Sequence, residues 1–338
     1  MKKILSLALC VLFLLPGCGG DAPSSPSQSQ IIEFEAQTWS LSCSGDEDSP
    51  EGQAALLFAE AVSGATNGAV TVEVHPEDSL SGGDPAAALA AVQSGEIDLA
   101  LVSSQLGKSL DPRLGVVSLP FLFASAEDAE ASLTGEAGEA LAEILASHGL
   151  RCLGIGEAGF RSPSNSLRPI STPADLADMK IRVSDDDMVQ QAYRLWGADC
   201  VTAPWPMVFT ALRTGTYDGQ EEPLTVADAA AVQGVQSYLT SWNGIYGCLY
   251  FCMDQALYDS LSPALREIAD RCGSEAMARQ RQLHRQHESS IISAWGRSGV
   301  SVTYLTEEEA ALFRETAQPC YDDFAADPAA AELLALFQ

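Results

Sequence analysis

The sequence predicts an α/β protein of two lobes, each a mixed, mainly parallel sheet covered by helices. Three observations carry that expectation. Strand-like and amphipathic helical segments alternate along most of the chain, the rhythm of β-α-β units. Of the 338 residues, about 310 remain once an N-terminal leader is set aside, enough for two lobes with real cores. Finally, helical residues run from Ser262 to about Trp295 with only Gly273 inside. Such a helix spans on the order of 50 Å, more than one small domain, and is expected to lie across both lobes.

Met1-Lys2-Lys3 is basic, and Ile4 to Leu15 is an apolar run too short to cross a membrane as a finished helix. Residues 1–17 therefore read as an export signal. Leu15-Pro16-Gly17-Cys18 resembles the lipobox of bacterial lipoproteins, with Pro16 its unusual position. That resemblance implies a lipid on Cys18 as the new N-terminus; an ordinary secretory signal is the alternative. Asp21 to Gln30, DAPSSPSQSQ, has nothing to bury, so residues 18–30 read as a lipidated cysteine and flexible tether. The body is expected to be exported, in the periplasm or on the outer face of the cytoplasmic membrane.

Ile31 to Trp39 alternates as a strand does. Pro50 opens a helix that continues through Val62, and Ala69 to Val74 is a strand by alternation and β-branching. A helix is expected over Pro85 to Ser94, closed by Gly95, then a strand over Ile97 to Val102. Leu150 to Leu153 reads as a short strand. Further on, Lys180 to Val183 reads as a strand, Asp185 to Gly197 and Trp205 to Gly215 as helices, and Cys248 to Met253 as an apolar strand. Arg279, Arg281, His284, Arg285 and His287 on the long helix have no H-E-x-x-H spacing and read as a solvated basic face.

The net charge is −28, deepened by the loss of Lys2 and Lys3, and it disfavours nucleic acid or anionic membrane as a partner. Any anion site must be a local, desolvated positive spot. Seven cysteines remain after Cys10 and Cys18, an odd number with no C-x-x-C spacing. Buried free thiols and one or two disulfides are both open readings. No metal or cofactor is expected. Gly154-Ile155-Gly156-Glu157-Ala158-Gly159 spells G-x-G-x-x-G, but the Ser- and Pro-rich stretch after it cannot open the helix that a dinucleotide fingerprint needs.

Several further segments stand in a telling order: Gly159-Phe160-Arg161, Pro173-Ala174-Asp175-Leu176-Ala177-Asp178-Met179-Lys180-Ile181-Arg182-Val183, Gly197-Ala198, Ala211 to Gly215, and Asp218-Gly219-Gln220-Glu221-Glu222-Pro223. Upstream, Phe58 to Val62, Gly95 to Asp98 and Leu119 to Phe123 fit the same pattern. Together they resemble the solute-binding proteins of tripartite ATP-independent periplasmic (TRAP) transporters, which bind C4-dicarboxylates and other organic acids. Pro173 to Val183 matches that family's P-x-D-L-x-G-x-K-x-R-V. The resemblance covers nearly all of the mature chain. It implies a two-lobed periplasmic-binding-protein-like fold with the ligand cleft between lobes, membrane permease subunits as partners, and no catalysis. It places lobe I at 31–158 plus about 248–287 and lobe II at 159–247 plus about 288–338, with the Gly159 turn as a bend that delivers Arg161 to the cleft.

By that resemblance Arg182 is the anchor of the ligand carboxylate, and Arg161 a second site arginine. The chemistry agrees, because a carboxylate entering a closed cleft needs a fixed donor fork. Trp205 matches an aromatic set against the ligand. Trp242 and Asn243 are candidates from a lobe II loop. Trp39, Ser40, Ser103 and Ser104 are candidates because they are read as following strand ends, where open α/β sheets place ligands. Glu222 stands where many relatives carry Asn; if it faces the cleft it repels a second carboxylate and favours a monocarboxylate with a hydroxyl or amino group. An ABC-type or receptor-linked binding protein is the second reading. An exported enzyme is the third, without G-x-S-x-G, zinc spacing or P-loop. The acidic pair Glu221-Glu222 and the run Asp185 to Asp187 read, for an enzyme, as solvated surface.

Overall fold

A computed structural model describes residues 33–338. The expected export signal, Cys18 and the expected tether lie outside the described residues. Among the described residues there are ten strands: β1 (Gln37–Ser42), β2 (Val70–His75), β3 (Leu99–Ser103), β4 (Leu150–Asn165), β5 (Lys180–Val183), β6 (Asp199–Thr202), β7 (Gly219–Pro223), β8 (Tyr238–Ser241), β9 (Ile245–Asp254) and β10 (Ser301–Tyr304). They form one sheet in the order β2-β1-β3-β9-β4-β7-β5-β6, with β8 paired to β4 and β10 to β8. β1 is parallel to β2 and β3, and β5 is parallel to β6 and β7. β9 is antiparallel to β3 and β4, and β4 to β7 and β8.

The α/β class and mixed pairing agree with the sequence. The sheets of the two lobes run into one another through β4, which is far longer than the short strand predicted. Its 16 residues extend about 50 Å at the rise of a strand. It pairs with β9 from Leu150↔Asp254 to Arg161↔Ile245, then with β7 from Arg161↔Pro223 to Asn165↔Gly219. One strand thus belongs to both halves of the sheet. The proline at Pro163 does not interrupt it, since Ser162 and Ser164 on either side remain in register with Glu222 and Gln220.

The long helix runs Pro263–Ser298, 36 residues, or about 54 Å. Ser262 caps it and Gly299 ends it at φ 102°. It matches β4 in length and packs along it, and this explains the glycine triplet. A Cβ at Gly154 would sit 3.1 Å from Met277 Cγ, one at Gly156 2.7 Å from Gln280 Oε1, and one at Gly159 2.5 Å from His284 Nε2. The glycines admit the helix to the strand. Gly159 also takes φ 84° beside a register shift between Glu157 and Gly159, so the backbone bends there as well.

The same packing corrects the solvated basic face. His284 is 1% exposed and Arg281 is buried. Gln280 clamps the backbone of Glu157, accepting from its N–H at 2.7 Å and donating to its carbonyl at 2.8 Å. Arg281 donates to Ile155 O, and Arg285 pairs with Glu157 at 2.8 Å and Glu130 at 2.9 Å. Only Arg279 and His287 of the five meet solvent freely. Charged side chains at helical spacing can be buried when the facing strand offers open carbonyls and carboxylates. The seven cysteines of the described residues are free thiols, five of them buried. Burial pushes Cys43, Cys248 and Cys320 up to about 12, so these behave as small apolar residues.

Candidate ligand-binding site

Three neighbouring strands bring the predicted arginines together. β7 lies between β4, which carries Arg161, and β5, which carries Arg182, and it supplies Glu221 and Glu222. Ile181 and Val183 are fully buried on either side of Arg182 and fix its direction. β5 and β7 are parallel, so this cluster gathers at their C-terminal ends, where open sheets leave a crevice. Arg161 and Arg182 are each 6% exposed, Glu221 is fully buried, and Glu222 is the least buried at 9%.

The hydrogen bonds are specific. Arg161 Nε and Nη2 donate to the two oxygens of Glu221 at 2.5 and 3.1 Å, and Nη2 also reaches Glu222 Oε2 at 2.6 Å. The other oxygen of Glu222 accepts from Arg182 Nη1. Arg182 Nε and Nη2 hold the carbonyl of Ala203 at 3.2 and 3.0 Å, and the guanidinium stacks over Trp205 at 5.3 Å. The N–H of Ser184 donates to Glu221 at 2.8 Å. Burial opposes charge on Arg161, but Glu221 and then Glu222 outweigh it and hold the guanidinium above its ordinary value. Glu221 and Glu222 are therefore not the solvated surface that a run of acids suggests. Asp186, within the second acidic run, is also buried; it caps the helix Asp187–Leu195 and pairs with Lys108, which follows β3, at 2.7 Å.

Trp205 stands half-buried in a short 3-10 turn, Trp205–Met207, ahead of a helix that begins only at Val208. Trp242 is buried among Phe121, Tyr193, Trp196 and Phe313, and its indole N–H donates to Arg161 O at 2.7 Å. It touches the site through the backbone of Arg161. Asn243 donates to Ala124 O at an exposed position. Trp39 and Ser40 lie inside β1, not after it, which corrects their strand-end placement: the strand begins six residues later than the alternation at Ile31 suggests. Trp39 is in the core, and Ser40 is bonded by backbone and hydroxyl to Asp98 at 2.7 and 2.9 Å. At the true end of β1, Ser42 and Ser44 hold Asp78 at 2.9 and 2.5 Å. Ser103 and Ser104 do sit where β3 ends. Ser103 caps the following turn, and Ser104 Oγ accepts from Cys248 N at 3.2 Å. Ser184, the Ala203 carbonyl and Lys108 carry no signal in the sequence, and Glu221, read there as surface, has only its place beside Glu222.

The model of the bacterial extracellular solute-binding protein family 7, DctP, matches residues 41–327. The chain belongs to this family. Family 7 members are solute-binding transport proteins, not enzymes. The 2,3-diketo-L-gulonate-binding periplasmic protein YiaO of Escherichia coli is 32% identical over 249 residues, 74% of this chain and 75% of that protein. Among solved structures, a TRAP periplasmic solute-binding protein of Ochrobactrum anthropi, with its C-terminus bound in the ligand-binding pocket, aligns at TM-score 0.86 and 28% identity, covering 90% of this chain and 95% of that one. The sugar-acid-binding protein DctPAm of Advenella mimigardefordensis, in complex with galactonate, aligns at TM-score 0.80 and 29% identity, covering 90% and 99%. The two-lobed architecture of the family is the fold expected from the sequence.

Proposed function

We propose that this chain is the exported, lipid-anchored binding subunit of a TRAP-type transporter. It captures a small organic acid in the crevice beside Arg182 and delivers it to the membrane permease subunits, with Cys18 carrying the lipid. The observation that carries this reading is the fixed, buried Arg182. Ala203 O and Glu222 take three of its N–H groups, which leaves two of the five a guanidinium owns. Arg161 and the Trp205 ring complete a wall suited to a compact acid with one apolar face. The relatives named above support the class, since 2,3-diketo-L-gulonate and galactonate are both carboxylic acids. The task requires no chemistry, only a higher affinity of the closed state for the ligand.

A thermal-shift screen of residues 31–338 against carboxylates, amino acids and neutral sugars tests it. A ligand at about 1,000 times its Kd adds roughly 4 kcal/mol, which raises Tm by several degrees. The expected result is a carboxylate that shifts the wild type and not Arg182→Ala. A neutral sugar that shifts both equally overturns the proposal.

A further inference from the structure

Glu222 bridges the two arginines that a diacid would need. One of its oxygens accepts from Arg161 Nη2 at 2.6 Å and the other from Arg182 Nη1. Glu221 already occupies Arg161 from the side at 2.5 and 3.1 Å. Two guanidiniums thus face two carboxylates, and the four buried side chains sum to zero charge. The other cation at these strand ends, Lys108, is committed to Asp186 at 2.7 Å. Buried polar atoms without a partner nearby are neutral: Ser184 Oγ, one residue beyond β5, and Tyr193 Oη, on the helix that follows.

We propose that Glu222 determines specificity by holding the place of one ligand carboxylate. The effect differs from simple repulsion: the carboxylate is already seated on both cations. A monocarboxylate can take the two N–H groups left on Arg182, and hydrogen-bond donors next to it, hydroxyl or ammonium, can share the oxygens of Glu222. Because the cluster is itself neutral, a monocarboxylate leaves it at −1 and a dicarboxylate at −2. Arg161 Nη1 still has N–H groups to offer, but the charge of Arg161 is already balanced by Glu221 and Glu222. The second carboxylate therefore stays uncompensated in a desolvated site, a cost that burial makes large. The site therefore takes a monocarboxylate that carries adjacent donors and rejects dicarboxylates. This inference rests on the carboxylate reading of the same crevice.

Calorimetric titrations of the wild-type protein with a hydroxy monocarboxylate (galactonate), an amino acid panel and succinate test it, repeated with Glu222→Gln. Glutamine keeps the length of the side chain and removes its charge. The expected result is a monocarboxylate bound at least about a hundredfold more tightly than succinate by the wild type, with that ratio shrinking at least about tenfold in Glu222→Gln. The galactonate and amino acid arms tell hydroxyl donors from ammonium. Wild-type succinate binding as tight as that of every monocarboxylate overturns the inference without any variant, and so does an unchanged ratio in a folded Glu222→Gln. Succinate held through Arg182 overturns this inference alone. Failure of every carboxylate overturns the organic-acid reading as well.

Discussion

Gly273 and Gly296 lie in the same helix and should answer alanine substitution in opposite directions. Nothing lies within 4 Å of a Cβ built at Gly296, so alanine there gains only helix propensity, about 0.5–1 kcal/mol. At Gly273 the Cβ would lie 2.6 Å from Leu153 Cβ and 2.9 Å from Leu153 O, a backbone atom that cannot step aside. Overpacking of that kind costs about 1–3 kcal/mol and outweighs the propensity gain. Urea denaturation of both variants checks this; equal stabilisation would mean that the helix does not approach β4 so closely. Asp178, at φ 59°, stands where the resembled pattern has glycine, and its short polar side chain tolerates the left-handed region. Single residues were legible where their chemistry is scarce. In so acidic a chain, Arg161 and Arg182 stood out, and Arg182 between two apolar residues announced a fixed direction. Serines and tryptophans carry no such mark, and Ser40 and Ser104 have partners set by contacts distant in sequence.

At the scale of elements, β4, β9 and the long helix form the common frame of both lobes. The helix was readable from its length and caps, but not which of its polar residues it buries, because that depends on where β4 exposes carbonyls. The length of β4 was hidden by the serines and proline near its end, which read locally as loop. His284 gives the frame a pH dependence. Burial, then the nearby His287 and Arg285, hold its pKa down at about 4, against an ordinary 6.5. The unfolded chain therefore binds a proton on His284 that the folded protein refuses between those values, so stability falls as pH drops from about 6.5 to about 4, by up to about 3 kcal/mol. Glu288 works the other way: burial and Glu157 push it up from 4.5 to about 7, and its contribution is lost as pH rises through that range. The measurement is accordingly a difference. Denaturation free energies at pH 7.5 and 4.5 should differ by about 3 kcal/mol less in His284→Gln than in the wild type. Identical differences would show that His284 takes up its proton without unfolding.

At the scale of the molecule, the two halves of the sheet meet through β4 and β9 and across the strand ends. Lys108, beyond β3, reaches Asp186, beyond β5, and Tyr321 donates to Pro120 O at 2.9 Å. The ligand crevice proposed above lies at these same strand ends, beside Arg182. If Arg182 recognises a ligand carboxylate, binding must respond both to the charge of the ligand and to the loss of the guanidinium. The acid found by screening and its primary amide, nearly the same shape without the charge, are titrated calorimetrically into the wild type and Arg182→Ala. The wild type should prefer the acid by about 2 kcal/mol or more, roughly thirtyfold, and Arg182→Ala should lose most of that preference. An acid and amide bound equally by the wild type, or a preference that survives without Arg182, would contradict it.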